Sequence, residues 1–169
     1  FLNEASEGIA LEFWESLTRP GQNPWHVGAD RMLVTEGDNS WLNWTVAERA
    51  GRVAGGLCCY EIGREPQTIY DTTPLNFVPL IELENLACDS CLIHVLANGV
   101  QHRRLGIGRM LLGHAETQSG QRSQSIIVVS NNEPACALYL SVGFTEAARR
   151  PMLDELGQEK GGDWRLLVK

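Results

Sequence analysis

From Leu92 onward the chain alternates between apolar runs and helical runs, and this alternation constrains the fold more than any other feature of the sequence. Leu92–Ala97 is a compact apolar strand, followed by a glycine-spaced turn at Arg103–Gly108. The helix that follows carries Ile107, Met110, Leu111 and Ala115 on one face and should stop near Gly120. Ser125–Ser130 then reads as a buried strand, Pro134–Val142 as a helix, and Gly143–Arg149 and Trp164–Val168 as the closing strands. Such an order points to a mixed α/β sheet. The front half supplies a helix from Asn3 to about Arg19, stopped by Pro20 and Gly21, and a second over about Val27–Glu36. Two β-rich runs, Trp41–Glu48 and Arg52–Tyr60, meet at AERAGR, where Gly51 marks the bend of a hairpin. Gly63–Asn76, with Pro66 and Pro74, reads as an irregular connection into a short helix over Val78–Ala87.

Composition narrows the partners. A chain of 169 residues with 43% hydrophobic and 21% charged residues can bury one core, so a single domain over residues 1–169 is expected. Its net charge of −7 would repel a polyanion, which argues against nucleic acid and suits an amine-bearing molecule. There is no apolar run of about 18 residues and no signal-like start, so neither membrane insertion nor export is expected and the location reads as cytoplasmic. Of five cysteines, Cys58 and Cys59 are adjacent, Cys88 and Cys91 form a CxxC, and Cys136 stands apart. With no second CxxC or spaced histidine pair, no metal site is expected and the thiols read as reduced.

The segment RRLGIGRMLL, Arg103–Leu112, joins a strand to a helix as a phosphate-binding turn would. A dinucleotide fingerprint needs a third glycine where Leu111 stands, and a P-loop needs GxxxxGK followed by Ser or Thr; both are absent. What remains is RxxGxG over Arg103–Gly108, whose freed N–H groups, helix dipole and Arg103, Arg104 or Arg109 could hold a pyrophosphate. Beginning 24 positions after Gly108 comes NxxAxxLYxxxGF, formed by Asn132, Ala135, Leu138, Tyr139, Gly143 and Phe144. Together the two segments closely resemble the signatures of the Gcn5-related N-acetyltransferases (GNAT), over about Ser90–Phe144. ELENLA, ARRPM and WRLLVK further resemble a bacterial subgroup whose substrates are unnamed.

This resemblance implies a mainly antiparallel mixed sheet, flanked by helices and split between the family's fourth and fifth strands, with acetyl-CoA as cosubstrate in the split. The family's first strand has no counterpart before the opening helix and is expected to be missing. By the same resemblance Leu96, Ala97 and Asn98 pair with the pantetheine through main chain, and Arg103, Arg104, Leu105, Gly106, Ile107, Gly108 and Arg109 hold the pyrophosphate. Asn132, Ala135 and Tyr139 contribute to the cofactor site from the second signature, and Tyr139 matches the family's general acid.

The base is less direct. Relatives commonly carry glutamate where this chain has Leu92 and Ile127, which accept no proton. His94 shares a strand face with Leu92 by period two and falls where arylalkylamine N-acetyltransferases carry the second of two histidines, so it is the candidate base. Glu84 and Glu82, on different faces of the short helix, are the alternatives for that role or for attracting a cation. Most of Trp14, Trp25, Trp41 and Trp44 are expected in the core, and Trp14, Trp25 and His26 are the acceptor-side candidates. The expected activity is transfer of acetyl to a primary amine of a small molecule or peptide, with a homodimer admitted by family habit. Absence of the usual glutamates leaves a rival: a non-catalytic acyl-CoA-binding sensor of the same fold.

Overall fold

The computed structural model describes residues 1–6, 8–38 and 40–169. Its elements are α1 (Leu2–Ala5), α2 (Ile9–Leu17), α3 (Pro24–Met32), β1 (Trp44–Arg49), β2 (Arg52–Glu61) and α4 (Val78–Asn85). They continue with β3 (Cys91–Asn98), α5 (Ile107–Ser119), β4 (Gln124–Val129), α6 (Glu133–Ser141), β5 (Thr145–Leu153) and β6 (Glu159–Val168). The strands form a six-stranded mixed sheet in the order β1-β2-β3-β4-β6-β5. β3 and β4 run parallel, whereas β1–β2, β4–β6 and β5–β6 are antiparallel. The chain divides into two compact units, residues 1–60 with 94–115 and residues 61–93 with 116–169.

In the first unit the long opening helix is broken in two. α1 closes on Ser6, Gly8 at φ +93° stands at the start of α2, and Asn3 Oδ1 accepts the Leu11 N–H across the break at 2.9 Å. α2 turns Trp14 inward, where a Cβ on Gly28 of α3 would meet its indole at 2.5 Å. Glycine at 28 thus lets the two helices pack on that ring. α3 begins three residues ahead of Val27 because Asn23 caps it, accepting the Trp25 N–H at 2.9 Å, and Pro24 occupies its first turn. Ser40 caps a single 3-10 turn at Trp41–Asn43, which delays β1 to Trp44.

The β1–β2 hairpin closes through Ala50 and Gly51, with φ of +51° and +72°, between the paired residues Arg49 and Arg52. Two positive φ values define the turn whose twist matches antiparallel strands.

The second unit packs Leu83, Leu92, Ile93, Leu166 and Leu167 into its core. The start of β3 pairs with β4 over Cys91–Ile93, and a buried hydroxyl pair, Ser90 with Ser125 at 2.7 Å, sits at this junction. β5 and β6 extend beyond the runs legible in sequence, since Asp154 Oδ1 accepts the N–H groups of Leu156 and Gln158 and folds the connection into a tight turn. The added length of β6 carries Asp163, which pairs with Arg149 at 3.1 Å, and Glu146 pairs in turn with Arg149 at 3.1 Å and Arg165 at 2.5 Å.

Alanine at a positive φ costs on the order of 1 kcal/mol, and asparagine tolerates that region far better. Ala50→Asn is therefore expected to raise the thermal midpoint by a few degrees, read by circular dichroism; an unchanged or lower midpoint would show that the hairpin turn is unstrained.

Candidate functional site

Within the first unit, the end of β3 leads directly into the glycine-spaced turn. Leu96, Ala97 and Asn98 are half-buried, and a Cβ on Gly55 of β2 would lie 2.5 Å from Asn98 Oδ1 and 3.1 Å from the Ala97 carbonyl. Only glycine at 55 lets this strand end lie so close. Asn98 Oδ1 is buried there without a hydrogen-bond partner among the described residues, and Gly99 N–H donates to the Ala54 carbonyl at 3.0 Å. A 3-10 turn at Val100–His102 follows, after which Arg104 (φ +61°) and Gly106 (φ +80°) swing the chain into α5.

α5 makes its first helical hydrogen bond from Met110 N–H to the Gly106 carbonyl at 3.0 Å. A helix end of this kind carries N–H groups without intrahelical acceptors and a partial positive charge. Ile107 and Gly108 are buried, whereas Arg103, Arg104, Leu105, Gly106 and Arg109 are exposed around this end. Neither Arg103 nor Arg104 enters an ion pair or side-chain hydrogen bond among the described residues. A Cβ on Gly106 would meet nothing within 4 Å, so space lies open there. This donor set suits an anion bearing several phosphate oxygens. Ile107, Leu111 and Ala115 do face the core, but Met110 is 58% exposed and leaves the apolar face assigned to it from spacing. Gly108 and Leu112 take its place beside them in the buried stripe.

His94, also on β3, presents its ring to Tyr60 of β2 with centroids 5.5 Å apart. Its surface is open to solvent, yet the protein around it takes away enough hydration to hold its pKa below the ordinary 6.5; the charge of Asp38 opposes this in part. The imidazole is thus neutral and able to accept a proton near pH 7. Cys58, two residues before Tyr60, is fully buried, and lost hydration together with the Asp38 charge pushes its thiol up to about 12. Elsewhere in this unit Trp14 belongs to the packing of α2 on α3 and meets Trp25 edge-on at 5.7 Å. Trp25 and His26 are exposed on α3.

The second unit presents the other signature. Asn132 caps α6, its Oδ1 accepting the Ala135 N–H at 3.3 Å, and Ala135 is half-buried in the first turn. Tyr139 is 5% exposed and lies edge-on to Phe144 at 6.1 Å. Gly143, at φ +102°, ends the helix and lets Phe144 fold back to donate its N–H to the Tyr139 carbonyl at 3.1 Å. Burial first, and Cys136 second, drive the Tyr139 pKa upward, so its hydroxyl keeps its proton.

The two glutamates of α4 point to different partners, as their spacing required. Glu82 is ion-paired with Arg150 of β5, and Glu84 accepts a hydrogen bond from Gln67 at 3.1 Å. Leu92 is buried and Ile127 half-buried on β4. Sequence reading passed over Tyr60 and Asp38, the neighbours that define the surroundings of His94. Tyr60 offered only its place at the end of a strand, and Asp38 only its place in a polar turn.

A family model described as the acetyltransferase (GNAT) family matches residues 10–144. An uncharacterised protein of Mycobacterium leprae (strain TN) is 32% identical over 138 residues, 81% of this chain and 32% of that protein. The chain therefore spans about a third of the length of this curated relative. Among solved structures, an N-acetyltransferase from Staphylococcus aureus Mu50 superposes with a TM-score of 0.60 at 15% identity, covering 99% of this chain and 95% of that one. A putative streptothricin acetyltransferase from Bacillus anthracis str. Ames, in complex with acetyl coenzyme A, gives 0.54 at 14% identity over 75% of this chain and 60% of that one. At these identities the likeness is one of fold.

Two substitutions separate cap from cradle. Removing the Asn132 cap by Asn132→Ala should cost about 1 kcal/mol of stability. Gly106→Ala meets no clash but forces a side chain into the left-handed region, at about 1–2 kcal/mol. Urea unfolding checks both, and a midpoint unmoved in either variant would refute the corresponding role.

Proposed function

The chain belongs to the acetyltransferase (GNAT) family, and on that premise we propose that it transfers acetyl from acetyl-CoA directly to a primary amine of a small molecule or peptide. The observation that carries this reading is the start of α5. Two unpaired exposed arginines, a left-handed glycine with open space beside it and a helix N-terminus together fit the pyrophosphate of CoA. Arg103, Arg104 and the backbone of Leu105–Arg109 hold the phosphates, and the main chain of Leu96–Asn98 aligns the pantetheine arm. Asn132 and Ala135 contribute from the start of α6.

The chemistry asks for a neutral amine. Neutral His94 takes the proton from the acceptor ammonium, directly or through water, and the freed nitrogen lone pair attacks the thioester carbonyl. A C–N bond forms, the C–S bond breaks, and the second nitrogen proton, released as the amide forms, passes directly or through water to restore the Tyr139 hydroxyl. Tyr139, kept protonated by burial, donates a hydrogen bond to the departing sulfur and supplies the proton that makes the free thiol. Glu82 is neutralised by Arg150 and Glu84 is engaged by Gln67, which supports His94 over both as the base.

The second reading, an acyl-CoA-binding sensor without catalysis, draws on Leu92 and Ile127 standing where relatives carry glutamate. Purified protein mixed with acetyl-CoA and a panel of amines, with thiol release as readout, decides between the two. Turnover supports the transferase; CoA binding without turnover on any amine supports the sensor. Tyr139→Phe is expected to lower kcat at least tenfold with acetyl-CoA affinity held within about threefold. Unchanged turnover at saturation would remove Tyr139 from proton donation. Because the His94 pKa lies below 6.5, kcat/KM should fall on the acid side only beneath that pH. His94→Ala should abolish this limb, and a profile identical to wild type would assign the base elsewhere.

A further inference from the structure

β2 presents two different faces in the first unit. Gly55 faces Asn98 and Ile107, whereas Gly56, one residue on, faces Phe1 and Trp44. By the strand's period of two, Cys58 and Tyr60 share the side of Gly56. Over Cys58 stands Asp38, whose main-chain carbonyl lies 3.9 Å from the thiol sulfur. The same carbonyl accepts from Asn43 Nδ2 at 3.0 Å, and Gly37 accepts from that amide group at 3.1 Å, so the turn presenting Asp38 is anchored. The Asp38 side chain is exposed and enters no hydrogen bond or ion pair among the described residues. Its charge nonetheless reaches both Cys58 and His94.

The anchored main chain of Asp38 thus stands over Cys58 at one end of a short strip and carries an exposed carboxylate without a partner among the described residues. The Tyr60–His94 ring pair stands at the other end, two residues along β2, where strand rise puts the backbone of Tyr60 about 7 Å from that of Cys58. We propose that Asp38 is a specificity-determining residue that binds a second cationic group on the acceptor, making the preferred substrate a diamine with its nitrogens about 7 Å apart. One ammonium is held against the carboxylate, at a rim where water is only partly excluded. The other amine lies at the Tyr60 ring, which attracts a cation through its face, and beside the His94 imidazole that takes its proton. An aliphatic chain of four or five carbons spans the strip, and the chain's overall acidity favours a doubly charged acceptor over a singly charged one.

This inference rests on the acetyltransferase reading, and its test separates the two. Acetyl transfer by the intact protein is followed with 1,4-diaminobutane, 1,5-diaminopentane and n-pentylamine. Wild type should favour the diamines at least tenfold in kcat/KM over n-pentylamine. Asp38→Asn should cut the 1,5-diaminopentane value about tenfold, chiefly through KM, with less than a threefold loss for n-pentylamine. Asp38→Glu should restore part of it. Equal losses for diamine and monoamine, or wild-type indifference to the second amine, would overturn the subsite and leave the transferase standing. Acetyl-CoA binding with turnover of no amine would overturn the transferase reading and this one together. Wild-type preference needs no variant, so poor folding of Asp38→Asn cannot shield the proposal.

Discussion

Between β3 and α5 the chain must leave an extended strand, pass through a 3-10 turn and enter a helix within nine residues, and it does so through two left-handed positions, Arg104 and Gly106. This reversal sets the direction of the first helical N–H groups and places the arginines around them rather than along the helix. Glycine at 106 makes its half of the turn nearly free of strain, while arginine at 104 makes the other half costly. A long cationic side chain kept at a strained position is what would be expected where its charge has work to do at that point in space.

The strands and helices after Leu92 were legible because each alternates sharply between apolar and polar residues over a length that suits its period. The opening helix was less so: Asn3 to Arg19 has helical spacing throughout, and the break at Gly8 is a matter of one backbone angle that spacing does not report. α3 starts three residues before the expected Val27 and ends at Met32 rather than near Glu36, because Asn23 and Pro24 form a helix start. β5 and β6 run past their apolar stretches to the turn that Asp154 closes, and in the added part of β6 Asp163 pairs with Arg149 of β5, a charged cross-strand contact that apolar patterning does not report.

The candidate site divides in the same way. Glycines and the capping asparagine were readable because backbone geometry demands those residue types at those places. His94 was singled out by period two and by the resemblance to arylalkylamine N-acetyltransferases. Its neighbours were not, since Asp38 and Tyr60 reach it from a turn and another strand, and a contact between distant residues leaves no local pattern. The partner of Glu82, Arg150, lies 68 positions away and was invisible for the same reason.

The buried Cys58 has a consequence for handling an activated thioester. A thiol raised to about 12 leaves roughly one molecule in 10⁵ as thiolate at pH 7, against a few per cent for an ordinary cysteine. A buried thiol two residues from Tyr60 is thereby kept in its protonated, weakly nucleophilic form. Lost hydration thus favours the uncharged form of both the Cys58 thiol and the His94 imidazole, whereas the Asp38 charge favours it at the thiol and opposes it at the imidazole.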